Sequence, residues 1–183
     1  MSQFMHYYLI LKNIFFNMTS HFFLWIPSLF IRRMYLSLFL KNVGKHNYFA
    51  RNIDIRMPSN IEIGSNNVFN KNVVLDGRGG LIISNNVDIA QDVMIWTDQH
   101  DKDDDEHKTI FKSVMIEDHV WIASRAIILP GVHLQKGCVV GAGAVVTKSV
   151  ETLDVVGGNP AKVITKRKNN LEYILDFHPL FKL

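Results

Sequence analysis

The chain of 183 residues has one cysteine, Cys138. That excludes an internal disulfide framework and a cysteine-built structural zinc site, and it fits a reducing compartment. Acidic residues are missing from the whole first quarter: none precedes Asp54, while Lys12, Arg32, Arg33, Lys41, Lys45 and Arg51 all do. The acids gather later, above all from Asp101 to Glu106. Long apolar runs are also missing. FFLWIPSLFI (22–31) and MYLSLFL (34–40) are split by Arg32-Arg33, and neither reaches the ~20 residues that span a bilayer. No small-residue cleavage site follows them, so a secretory signal is not expected. The net charge of +3 is too small to imply a nucleic-acid partner.

What this first segment does contain is an amphipathic pattern with a very wide apolar side. A helix starting at Pro27, a residue suited to a first turn, would align Arg33, Ser37 and Lys41 at i, i+4 spacing, with Ser28 and Arg32 near the same line. Almost every other direction is apolar. Such a helix must bury most of its surface, either in protein, on its own domain or a neighbouring subunit, or in a lipid interface. The flanking cations and absent acids favour anionic lipid over neutral lipid.

The middle of the chain obeys a different rule. From Ile116 a step of six lands on Ile122, Ile128, Leu134, Val140 and Val146, and four places beyond each stand Val120, Ala126, Val132, Cys138, Ala144 and Val150. A helix repeats at 3.6 and a strand at 2, so neither explains a step of six. A solenoid does: each unit supplies a short strand and a corner, and three units close one coil. Aliphatic residues then stack inward at about 4.8 Å from coil to coil, with small residues at the corners. The same step links Ile63, Phe69 and Leu75. After a shift at Arg78-Gly79-Gly80 it links Ile83, Ile89 and Ile95. Asn and Gly beside these positions suit sharp corners. Residues 96–115 break the pattern with a polar, acidic loop, and a long loop within a regular solenoid is usually functional. The expected organisation is an apolar helical segment (1–45), a parallel β-helix (46–168) with its excursion, and a short helical tail (169–183).

VWIAS (120–124), ILPGV (128–132), VVGAGAVVTKSV (139–150) and GGNPAKVITKR (157–167) resemble the hexapeptide-repeat acyltransferases. The likeness is greatest to maltose and galactoside O-acetyltransferases and to capsule and lipopolysaccharide O-acetyltransferases, and it covers about residues 47–168. It implies a mainly β, left-handed parallel β-helix, acetyl-CoA as co-substrate, no required metal, and a homotrimer whose site lies between subunits. It also implies attack of a saccharide hydroxyl on the thioester. Histidine suits the removal of the hydroxyl proton. In the family the base opens the excursion loop, here IWTDQHDKDDDEH (95–107), so His100 is the expected base and His107 a distant second. Asp101 or Asp98 would fix its tautomer.

Further roles follow from the same resemblance, residue by residue. Trp121 would lie beside the pantetheine arm, Ser124 would face the thioester, and Ala142 would let the main chain approach the pantetheine amides. Thr147 and Lys148 would continue the path, and Lys162, Lys166 and Arg167 would meet the nucleotide phosphates. Asn70 would bind the acceptor sugar. Cys138 falls in the small-residue series of the core, so transfer is expected to be direct rather than through an acyl-enzyme. Two departures stand out: Glu117 and Ala123 occupy places where the family usually has glycine, and the maltose-type N-terminal cap is replaced by the apolar segment. The second points to a surface-glycan acceptor, free or lipid-linked, handled in the cytoplasm or at the inner face of the plasma membrane. Three rivals remain: N-acetylation of an amino-sugar nucleotide, a non-catalytic β-helix, and a zinc enzyme of carbonic anhydrase type. His119 and His133 are badly spaced for the last.

Overall fold

A computed structural model describes residues 3–177. Two helices, α1 (Gln3–Trp25) and α2 (Leu29–Phe39), precede a solenoid of short parallel strands. The first face of the solenoid stacks Asn42–Val43, Ile61–Ile63, Leu81–Ile83, Val114–Ile116 and His133–Leu134. The second runs from Tyr48–Phe49 through Val68–Phe69, Asp88–Ile89, Trp121–Ile122 and Val139–Val140 to Asp154–Gly157. The third stacks Asp54–Arg56, Val74–Asp76, Met94–Ile95, Ile127–Ile128 and Val145–Val146. The chain therefore winds through five coils and begins a sixth.

The six-step residues point inward as expected. Ile116, Ile122, Ile128, Leu134 and Val140 are wholly buried, and the second series from Val120 to Val150 is buried with them. Each such side chain contributes about 1.5–3 kcal/mol relative to an exposed one. Left-handed backbone recurs at the corners, at Asn66, Asn86, His119 and Gly137 between the first and second faces and at Asn52, Asn72, Asp92, Arg125 and Gly143 between the second and third. Buried Asn67 ties three coils together. It donates its N–H to Asn47 Oδ1 (2.9 Å), accepts from the Val87 N–H (2.7 Å), and donates Nδ2 to the Ser84 carbonyl (2.9 Å). The amide thus satisfies main-chain groups that the corner would otherwise leave unpaired inside the core.

The register shift has a geometric cause. Residues facing one another across coils are 20 apart in the early coils, as Val74 opposite Met94, and 18 apart in the later ones, as Ile127 opposite Val145. The additional residues fall at the third corner, between the third and first faces. There the chain makes a short 3-10 turn at Pro58–Asn60, and a coil later the turn Gly77–Gly80. The excursion leaves at this same corner one coil further on, so it enlarges a corner already long. It is less irregular and shorter than its composition suggests. Val114 and Met115 belong to the first face, and within the excursion Asp98–His100 pairs antiparallel with Thr109–Phe111.

Both ends are closed. Phe16 and Leu24 of α1 and Leu36 and Phe39 of α2 pack onto the first coil. The second helix starts at Leu29, not at Pro27, because the Ser28 hydroxyl accepts from the Ile31 N–H and serves as its cap. Arg32, expected on the polar line, is instead buried. Its Nε donates to the Phe49 carbonyl (2.9 Å) and Nη1 to the Ile26 carbonyl, tying the helices to the first coil. At the far end Lys162–Lys166 turns back antiparallel on Asp154–Gly157. The tail is not helical through Phe177: residues 167–177 form an extended strap, and residues 178–183 lie outside the described residues. Its side chains pack across successive coils rather than on one helical face, with Leu171 against Gly137, Tyr173 edge-on to His119 (4.8 Å), and Phe177 edge-on to Tyr48 (4.8 Å).

Candidate active site

The excursion is anchored by a buried carboxylate. Asp76, fully buried at the third corner, accepts from Arg78 Nε (2.9 Å) and the Arg78 N–H (3.1 Å) through Oδ1, and from the Thr97 N–H (2.9 Å) through Oδ2. Burial alone would raise its pKa. The guanidinium and the two main-chain donors together outweigh burial and hold the carboxyl below the usual range. Arg78 then reaches Asp98 at 2.5 Å, the first residue of the excursion's hairpin. Thr97 adds a hydroxyl that accepts from the Gly79 N–H (2.8 Å). Only glycine fits at 79, because a Cβ there would lie 2.4 Å from the Thr97 carbonyl oxygen.

Two residues beyond Asp98 stands His100, exposed, with its Nδ1 2.8 Å from the His107 carbonyl oxygen. A carbonyl can only accept, so Nδ1 carries a proton, and in the neutral ring Nε2 is the nitrogen with the lone pair. The two imidazoles stack with centroids 3.9 Å apart and planes 8° from parallel. The partner that fixes the tautomer is therefore a main-chain carbonyl. Asp101 does not take that role: its carboxylate accepts from the Asp103 N–H (3.1 Å) and shapes the turn. Asp98 is held by Arg78.

The other candidate residues occupy different edges of the solenoid. Ser124 and Ala142 lie at the second corner, one coil apart, in a row of main-chain bonds from Asn70 N–H to the Ile89 carbonyl, Ala90 to Ile122 and Ala123 to Val140. The row brings Asn70 to the same edge, where its amide also donates to the Ile89 carbonyl (3.1 Å). Trp121 projects outward from the second face and is 45% exposed, which removes core packing as its role. Thr147 and Lys148 lie exposed at the third corner, after Val145–Val146. Lys148 and Lys162 border one hollow of about 300 Å³. Within one chain the third face separates His100 from Ser124 and Ala142.

Two basic residues are already engaged. Lys166 pairs with Asp154 (2.6 Å). Arg167 donates to the carbonyls of His119 (2.8 Å) and Gly137 (3.2 Å) and to the Tyr173 hydroxyl (3.0 Å), so it fastens the strap and offers little to a phosphate. Cys138 is buried, and burial pushes its thiol up to about 12, far from thiolate formation at neutral pH. Sequence reasoning missed Asp76, Arg78 and Thr97. Their signal was the register shift at Arg78-Gly79-Gly80, which marks the lengthened corner.

A parallel solenoid of six-residue steps with a histidine-bearing excursion is the architecture of a class of transferases. Residues 113–148 match the bacterial transferase hexapeptide (six repeats) family model. WcaF of Escherichia coli (strain K12), provisionally named a colanic acid biosynthesis acetyltransferase, is 31% identical over 148 residues, 79% of this chain and 81% of that protein. The galactoside O-acetyltransferase of Lactococcus lactis subsp. lactis is 35% identical over 114 residues, 61% of this chain and 54% of that protein. A hexapeptide-repeat acetyltransferase of Vibrio cholerae O1 biovar eltor, solved with acetyl-coenzyme A, superposes with a TM-score of 0.79 at 26% identity, covering 88% of each chain. The chain belongs to the hexapeptide-repeat transferase family. Its match spans about half the length of several curated relatives.

Proposed function

We propose that the protein transfers the acetyl group of acetyl-CoA to a hydroxyl of a saccharide, with His100 as general base. The observation that carries this reading is the His100 imidazole, held through Nδ1 by the His107 carbonyl so that Nε2 is the ring nitrogen available to take a proton, on a fold shared with a relative solved with acetyl-coenzyme A. As the acceptor oxygen attacks the thioester carbon, its proton passes to His100 Nε2. The tetrahedral intermediate places its negative charge on the former carbonyl oxygen, where the main chain and hydroxyl at Ser124 can stabilise it. Collapse breaks the carbon–sulfur bond. The CoA sulfur leaves with the proton from Nε2, and the histidine returns to its starting state. Transfer is direct because the one thiol, Cys138, is buried and protonated.

His100 projects from the third corner while Ser124 and Ala142 lie at the second, with the third face between them, so a site built from all three would be shared between chains. A homotrimer brings the third corner of one subunit to the second corner of the next, and the site is then shared. CoA would run past Trp121, Ala142, Thr147 and Lys148, with its phosphates at Lys148 and Lys162. Asn70 would hold the acceptor. The relatives named for colanic acid biosynthesis and for galactoside acetylation support a sugar acceptor, here one destined for a surface glycan. Its need for acetyl-CoA favours work on the cytoplasmic side.

The test is turnover of labelled acetyl-CoA with a panel of saccharides, followed by mass spectrometry of the product. His100→Ala should slow transfer by about 10²–10⁴-fold while CoA binding and the melting temperature hold. Near-normal turnover in that variant would eliminate His100 as the base. Acetylation at nitrogen would assign a different acceptor.

A further inference from the structure

The helical cap has two apolar sides, and the solenoid uses only one. Phe16 and Leu24 of α1 face the first coil and are buried. On the opposite side of α1, Tyr7, Leu11, Ile14, Met18, Phe22 and Trp25 recur every three or four residues, and each is about half exposed or more, Met18 at 79%. That spacing is one continuous stripe on a helix. The adjoining helix adds Phe30, Met34 and Leu38, also exposed. An exposed apolar stripe running from Tyr7 to Trp25 is far from the scattered apolar side chains of an ordinary surface.

The surroundings choose the occupant. No carboxylate lies in the chain before Asp54, so the charged side chains of the two cap helices are cationic or histidine, with no acid among them. Beside α2 a groove of about 670 Å³ opens against the first coil, lined by Phe30, Met34, Val43 and Phe49 and by the cations Arg33 and Lys45. Neither cation has an ion-pair partner among the described residues, whereas Lys41 nearby pairs with Glu62 (2.7 Å). Two copies of such a surface meeting face to face would oppose like charges. A layer of hydrocarbon beneath anionic headgroups complements both the stripe and the cations. No described helix is long and apolar enough to cross a membrane, and α1 is also interrupted by Lys12, Asn13, Asn17 and His21. The geometry is that of a helix lying in the interface.

We propose that the outer face of the α1–α2 cap docks on an anionic lipid bilayer, with the stripe from Tyr7 to Trp25 in the acyl boundary and Arg33 and Lys45 receiving a headgroup phosphate in the groove. Docking is separate from acetyl transfer, since the cap stands on the opposite end of the solenoid from the Lys148–Lys162 hollow and carries no residue of the proposed site.

Cosedimentation of the full chain with phosphatidylcholine vesicles, and with vesicles containing added phosphatidylglycerol, tests it. The wild-type chain should bind the anionic vesicles much better, and the preference should shrink with salt. Arg33→Gln and Lys45→Gln should each lower the partition coefficient for anionic vesicles by about fivefold and leave the residual neutral-vesicle binding unchanged. The triple variant Leu11→Gln, Met18→Gln, Phe22→Gln replaces exposed residues with good helix formers, so the fold should persist by circular dichroism while vesicle binding disappears. Three results would overturn the proposal: no binding of wild type to anionic vesicles, equal binding to both vesicle types, or a fall in particle mass by light scattering in the triple variant. The last would assign the stripe to contact between copies. Acetyl transfer to a water-soluble acceptor should be the same in all these variants, so a failure of docking and a failure of the proposed activity are read separately.

Discussion

At the scale of single residues, position outweighs identity. Arg32 and Arg33 are neighbours, yet one is buried against main-chain carbonyls and the other lines a groove. His100 differs from an ordinary loop histidine through its Nδ1 partner and its stack on His107. Asp76 exerts the longest reach. Its carboxyl is held below the usual range, so its stabilising contribution is complete above the unfolded value near about pH 4 and is lost as pH falls through the folded value. Asp76→Asn should cost about 2–3 kcal/mol at neutral pH and flatten the acid limb of a melting-temperature profile below about pH 4. Because Arg78 links Asp76 to the hairpin that carries His100, the same substitution should lower kcat more than it raises the KM for acetyl-CoA. An unchanged kcat would show that the excursion is held by other contacts.

At the scale of elements, the six-residue step dictates strands and corners so strongly that the core needed no tertiary information. Elements outside the step behave differently. The acidic stretch has no apolar alternation, yet it forms a hairpin because its ends leave one corner together, anchored by Arg78 and by the Lys112 N–H to the Thr97 carbonyl (2.9 Å). The tail has no solenoid pattern either, and it is held as a strap by Arg167. Gly137 marks where it crosses: the residue sits at φ +67°, and a Cβ would come within 2.5 Å of Leu171. Gly137→Ala should therefore cost about 1–2 kcal/mol from the left-handed backbone alone. It should also raise hydrogen exchange in the strap, which a purely local strain would leave alone. Phe16→Ala should lower stability by about 3–5 kcal/mol, since its ring is fully buried between the cap and the first coil.

At the scale of the whole molecule, the proposed site is one shared between the chains of a proposed trimer. Mixed trimers give a direct reading. His100→Ala spoils one side of the shared site and Ala142→Trp the other, and each homotrimer should be inactive. After the two are unfolded together and refolded, about a quarter of the sites should combine an intact His100 with an intact Ala142 from the neighbour. Recovery of activity near that level, with both parent proteins silent, is the expected result. No recovery would mean that one chain supplies both residues.

The coils, their inward residues, the place of the excursion and the identity of His100 as its first histidine were all legible in the sequence, because a repeat writes the same local demand on every coil. The family motifs supplied the rest of the chemical expectation. Tertiary structure alone decided what depends on which groups meet in space: the His107 carbonyl rather than Asp101 behind His100, the Asp76–Arg78–Asp98 anchor, the diversion of Lys166 and Arg167 into structural bonds, and the exposed apolar side of α1. A hydrogen-bond partner or an exposed face is a property of neighbours in space. In a solenoid those neighbours lie 18, 20 or 33 residues apart, as Met115 opposite His133, Ile61 opposite Leu81 and Val114 opposite Leu81.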